Sequence, residues 1–212
     1  MLPLVLIPCR PFTQGKSRLA PALNPAAREA LCRRFLHDTL ARITALVPKP
    51  DIHVVTADRE ATAMAAAAGI STLDETQAGL NEALSGAITQ LARQRQDFAQ
   101  RSLLLLPTDL PLATPAALRA ALDMPADILL VPDHAGQGTN LLRLGPGIAP
   151  RFSFRFGPGS FLLHQAEAAR LGITPHLLPE PTLACDIDTP EDYAAWQAVA
   201  EPTALGQRQA AT

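Results

Sequence analysis

The four consecutive leucines at Leu103–Leu106 restrict this chain more than any other stretch. A strand with apolar side chains on both of its alternating faces must be covered from both sides. That is the pattern of an internal strand in a largely parallel sheet. Pro107 and Pro111 stop regular structure directly afterwards, and between them stands one carboxylate, Asp109. In open α/β sheets, ligands bind beyond the C-terminal ends of the strands. A carboxylate in that place has two readings. It closes a turn, as Asp often does, or it holds a magnesium ion on the phosphates of a nucleotide.

The remaining periodicities agree with such a sheet. Apolar runs predict strands over residues 2–7, 52–56, 70–73, 128–131 and 141–144, with an edge strand over 173–178 that carries Pro175. Helical spacing follows Asn24-Pro25 as far as Val47, and Asp58 caps a helix over 59–68 that Gly69 closes. Further helices open at Gly79-Leu80, Thr114-Pro115 and Ser160, the last closed by Gly172. Thr189-Pro190 opens another, with Asp192 at its third position. Residues 93–101 read as polar and solvated, and His164 and His176 as structural. Strands alternating with helices predict one layered α/β domain over residues 1–200, with a polar tail at 201–212. A length of 212 residues suits one domain.

Composition excludes several classes of function. A formal net charge of −2 argues against a nucleic-acid binder that works by bulk charge. No apolar run approaches the roughly 20 residues of a membrane span, and the LPLVLI run near the start has no basic residue before it, so it reads as a strand. Three widely separated cysteines, Cys9, Cys32 and Cys185, form no metal-binding spacing and suggest a reducing, cytoplasmic setting.

Four segments carry residues suited to chemistry. The first strand runs into a loop with Gly15, Lys16, Ser17 and Arg18, which suits phosphate oxygens although the P-loop pattern is absent; a solvated basic loop is the competing account. Asn81, at a helix start, can hydrogen-bond a base edge or simply face solvent. Gly157-Pro158-Gly159-Ser160 opens a helix whose free N–H groups suit an anion, and Thr139 follows a glycine-rich turn. Asp186 and Asp188 alternate with apolar residues. On a strand they share one face and repel unless a cation intervenes, or else one caps the following helix.

In this order, Lys16-Ser17-Arg18-Leu19, Gly79-Leu80-Asn81, Asp109-Leu110-Pro111, GTN at 138–140, FRFGPGSF at 154–161 and DIDTPED at 186–192 resemble the CofC/FbiD family across about residues 4–195. These are guanylyltransferases of coenzyme F-420 biosynthesis. The resemblance implies a single Rossmann-like nucleotidyltransferase domain, similar to the enzymes that activate the molybdenum cofactor, with a mixed, mostly parallel sheet flanked by helices. It implies GTP and a small phosphorylated three-carbon acid as substrates: phosphoenolpyruvate, 2-phospho-L-lactate or 3-phosphoglycerate. By motif match, Thr139, Gly157 and Ser160 hold the acceptor. Asp109 with Asp186 or Asp188 holds Mg2+, Lys16 and Arg18 meet the GTP phosphates, and Asn81 lies near guanine. The family pattern would place a lysine at or near Arg10. Two other readings stand beside this one: the same fold acting on a molybdopterin or sugar phosphate, and a nucleotide-binding module without turnover.

Overall fold

A computed structural model describes residues 1–75 and 79–200; the expected tail at 201–212 lies outside the described residues. Seven strands form one sheet in the order β3-β2-β1-β4-β6-β5-β7. They are β1 (Leu4–Pro8), β2 (Ile52–Thr56), β3 (Ser71–Asp74), β4 (Leu103–Leu105), β5 (Ile128–Pro132), β6 (Thr139–Leu144) and β7 (His176–Leu177). Strands β3, β2, β1 and β4 are mutually parallel, and β6 runs antiparallel to both β4 and β5. The sheet is therefore mixed and mostly parallel, as expected. The edge strand expected over 173–178 pairs only through its two residues of β7.

The double coverage read from the leucines is present. Leu104 packs with Val5, Ile7, Ile52, Val54 and Val131 in one core cluster, and Leu103 and Leu105 pack with Leu4, Leu6, Leu130 and Leu142 in another. Three helices cover the first face: α1 (Pro25–Thr44), α2 (Arg59–Ala67) and α4 (Pro115–Asp123). The second is covered by α3 (Leu80–Gln94), α5 (Ser160–Arg170) and Phe152 and Phe154 from the loop before α5. The period of two along each strand sorts its residues between these layers.

A smaller cluster joins Leu19, Leu31, Phe35, Ile187 and Trp196, the last from α6 (Pro190–Ala200). It pins the loop after β1 to the segment before α6, 168 positions away. The caps match the sequence reading: Asn24, Asp58 and Thr114 each accept a main-chain N–H of the first turn they precede. At α6 the cap is reciprocal. Asp192 accepts from the Thr189 N–H at 2.8 Å, and the Thr189 hydroxyl oxygen accepts from the Asp192 N–H at 3.2 Å.

Two expectations need correction. Residues 93–101 are not simply solvated: Phe98 is buried, and Arg101 is 7% exposed. The Arg101 guanidinium donates to Asp51 at 2.7 Å, to Asp97 at 2.8 Å and to the Leu2 carbonyl, so its fork of donors is matched and can be buried. Asp186 and Asp188 do not lie on a strand. Their segment is irregular, with Ile187 buried between them.

Candidate active site

The sheet order reverses at β1: the chain runs outward through β2 and β3 on one side of it and returns to place β4 on the other. A crevice at such a switch point opens between the loops that leave the two central strands. Here those are the loop after β1, with Lys16, and the loop after β4, with Asp109. They border a cavity of about 440 Å3. Because β6 is antiparallel, its first residues, Thr139 and Asn140, reach the same edge of the sheet.

Lys16 sits in the crevice with its Nζ 2.5 Å from Asp109 and 2.8 Å from Asp188, and Arg18 is 3.3 Å from the other oxygen of Asp188. Burial alone would lower the Lys16 ammonium, but the two carboxylates outweigh it and hold the group above the usual lysine value. The charge is therefore permanent. Lys16 also has φ +51°, an unusual value for a residue with a Cβ, between two short 3-10 turns at 12–14 and 17–19. Such strain persists where surrounding contacts over-determine it, here the two ion pairs.

Asp186 stands slightly apart. It accepts from the Asn140 side chain at 3.1 Å, and burial, with the nearby charge of Asp109, raises its carboxyl above the usual value. Lys16 thus bridges Asp109 and Asp188 from two distant segments, and Asn140 stands beside Asp186. Among the described residues no three His, Cys, Asp or Glu side chains stand close enough to hold a metal ion unaided.

The residues expected to meet an acceptor form an adjoining network. The Ser160 hydroxyl accepts from the Thr139 main-chain N–H at 2.9 Å. Fully buried His164 lies 2.9 Å from the Thr139 hydroxyl through Nδ1, and its Nε2 accepts from the Arg155 N–H at 3.0 Å. Accepting at Nε2 puts the imidazole proton on Nδ1, which donates to Thr139. Burial pushes this histidine down to about 4, so it is neutral at pH 7. Gly157 and Gly159, at φ +132° and +71°, shape the turn into α5, and the Ser160 N–H closes it on the Gly157 carbonyl at 3.1 Å.

Asn81, expected near guanine, has main-chain partners. Its carboxamide donates to the Phe156 carbonyl at 3.1 Å and accepts from the Phe156 N–H at 2.8 Å. It clasps the α5 approach loop to the start of α3, while Leu80 and Ala83 line the cavity. Cys9 also lines the cavity, but burial pushes its thiol up to about 12, which removes the thiolate at neutral pH. The sequence reading missed Asn140 and His164 as site-building residues; a polar pair opening an apolar strand was the available signal for the first.

Comparison with known proteins shows the family and the fold. The sequence pattern of the family described as "Guanylyl transferase CofC like" matches residues 3–196. The phosphoenolpyruvate guanylyltransferase of Chloroflexus aggregans is 35% identical, over 93% of this chain and 98% of that protein. The 2-phospho-L-lactate guanylyltransferase of Methanothermobacter thermautotrophicus is 33% identical, over 88% of this chain and 80% of that one. In fold, a nucleotide-diphospho-sugar transferase from Desulfovibrio desulfuricans superposes with a TM-score of 0.71 at 16% identity, covering 94% of this chain and 88% of that chain. With a match over nearly its whole length, the chain belongs to the CofC-like guanylyl transferase family.

Proposed function

We propose that this protein transfers GMP from GTP to phosphoenolpyruvate or a closely related three-carbon phospho-acid. The observation that carries the reading is Lys16, held as a permanent cation between Asp109 and Asp188 in the crevice at the strand ends. Nucleotidyl transfer needs little covalent help from the protein and much positioning and charge neutralisation. An oxygen of the acceptor phosphate forms a bond to the α-phosphorus of GTP. The bond from that phosphorus to the bridging oxygen breaks, and pyrophosphate leaves with the electron pair. The nucleophile is already an anion, so no general base is required.

Each side chain then has a task. Lys16 and Arg18 offset the repulsion between two polyanions brought together. The Thr139 hydroxyl, which accepts a hydrogen bond from His164 Nδ1–H and keeps its own proton free to donate, meets the acceptor beside the Gly157–Ser160 turn. Asp109 with Asp186 or Asp188 would hold magnesium. The all-oxygen donor set and the raised Asp186 carboxyl fit a hard cation that arrives with nucleotide phosphates, which supply the remaining ligands. Bound magnesium would supply charge neutralisation on those phosphates. We assign the step to coenzyme F-420 biosynthesis, the setting that the sequence resemblance implies.

The test is pyrophosphate release and product mass with purified protein, GTP and magnesium. Phosphoenolpyruvate, 2-phospho-L-lactate, 3-phosphoglycerate and a sugar 1-phosphate are supplied separately. A guanylylated phospho-acid is expected with at least one of the first three. Product with the sugar phosphate alone, or with none of the four, would refute the proposal.

A further inference from the structure

The cavity is not confined to the charged residues. It runs along the strand ends from Asp109 and Asp188 to Val55 at the end of β2, Leu80 and Ala83 on α3, and Glu75, the residue after β3. In the sheet order, β3 and β4 are three strand spacings apart, about 14 Å. That suits a nucleoside and its first phosphates lying across the edge. Lys16 and Arg18 stand with Asp109 and Asp188, while Leu80 and Ala83 wall another part of the cavity, with Arg10 lining it near Glu75; we orient the nucleotide with its phosphates over Lys16 and its base beside Leu80 and Ala83.

One carboxylate stands at the base end. Glu75 is partly buried and, among the described residues, forms no ion pair. Its N–H donates to the Thr56 carbonyl at 3.3 Å, which ties the residue to the end of β2. Burial raises its carboxyl above the usual value, against the opposing charge of Arg10 and an N–H from Ala57. With one main-chain donor and no ion pair among the described residues, this carboxylate keeps acceptor capacity for further donors. Asn81 leaves this role open, since its carboxamide is engaged with Phe156.

We infer that Glu75 selects guanine, accepting from N1–H and from the exocyclic N2 amine with its two oxygens. The inference rests on the guanylyl-transfer reading above and specifies how the base is recognised. Guanine presents two adjacent donors that match a carboxylate. Adenine presents the lone pair of N1 there, which a carboxylate repels. Uracil has a single N–H flanked by carbonyls. Hypoxanthine keeps N1–H and lacks the amine, so it isolates one of the two hydrogen bonds.

The experiment measures equilibrium binding of GTP, ITP and ATP, each with magnesium, to the wild-type protein and to the Glu75→Gln and Glu75→Ala variants. Binding is read without turnover, so failure of guanylyl transfer and failure of this assignment give different results. The wild-type protein is expected to bind GTP about 10-fold tighter than ITP, and ATP weakest, on the usual worth of a hydrogen bond to a charged group. In both variants the GTP-to-ITP ratio should collapse to within about 3-fold on the same basis. Glu75→Gln should also gain on ATP relative to GTP, since an amide can donate to N1 and accept from the adenine amine. The isosteric Gln variant decides the matter if the Ala variant does not fold. A GTP-to-ITP ratio unchanged in the Gln variant, or a wild-type protein that binds the three equally, overturns the assignment.

Discussion

Lys16 shows what one side chain can decide. Its ammonium separates two carboxylates drawn from loops 79 positions apart, and without it Asp109 and Asp188 face each other. Lys16→Ala should lower kcat/KM by about 100-fold or more, the usual cost of removing one preorganised charge at a phosphoryl-type centre. Thermal melting should change much less. Retention of wild-type pyrophosphate release would remove Lys16 from the chemistry. Ser160 acts through a neighbour: its buried hydroxyl satisfies the Thr139 N–H. Ser160→Ala leaves that donor unpaired and should cost about 1–3 kcal/mol of stability. It should also raise the KM of the phospho-acid more than that of GTP, and a larger rise for GTP would place Thr139 elsewhere. Steady-state kinetics with each substrate varied in turn reads both. The sequence supplied the types of these residues and their order. It did not supply the partner each one takes, because a partner is fixed by tertiary approach. The bonds of Asn81 to the Phe156 main chain, for example, could not be read from its spacing.

Elements were easier to read than contacts, since helices and strands follow local period and caps follow local chemistry. Asn24, Asp58, Thr114 and Thr189 were legible as caps for that reason. The direction of β6 was not legible in the same way; a short apolar run looks alike in either orientation. Nor was the role of α6, whose apolar side meets Phe35 and Leu19 rather than the main core. Trp196 is its anchor, edge-on to Phe35 with centroids 5.5 Å apart and with the Arg34 guanidinium 4.9 Å above its ring. Trp196→Ala should destabilise by about 3–5 kcal/mol, the range for truncating a large buried aromatic. It should also depress turnover beyond the loss of folded protein, because Ile187 beside Asp188 packs in the same cluster. Trp196→Phe should recover most of both. Urea melts followed by circular dichroism, paired with initial rates per folded molecule, separate the two effects. Undiminished rates in a folded Ala variant would show that α6 does not position Asp188.

Across the whole molecule, stability should carry the signature of two buried neutral histidines on separate parts of the sheet. His53 of β2 lies 2.8 Å from Ser71 of β3, and His164 of α5 bonds Thr139 of β6. Burial lowers each to about 4, against an unfolded value near 6.5. The fold thus favours the neutral base. The stabilisation is complete above the unfolded value and is lost as pH falls from about 6.5 toward 4, because the unfolded chain takes up protons that the native one refuses. Each group alone gives a slope of about 1.4 kcal/mol per pH unit across that window. Glu167 has its own window lower down. Its bond from Arg170, with a further one from the Ser153 N–H, holds its carboxyl at about 2, so its contribution begins to fade as pH falls into the ordinary carboxylate range and is lost toward 2. Denaturant midpoints should therefore be flat from pH 7 to 8 and fall steeply between pH 6 and 4.5. Substituting either histidine should make the fall shallower by its share. His164→Asn keeps a donor where Nδ1 stood, so it should flatten the curve and still support Thr139; His164→Gln keeps the acceptor for Arg155 and should spare Thr139 less. A wild-type midpoint that stays level down to pH 5 would mean that both imidazoles titrate as they do in water, and the neutral tautomer assigned at Thr139 would fall with it.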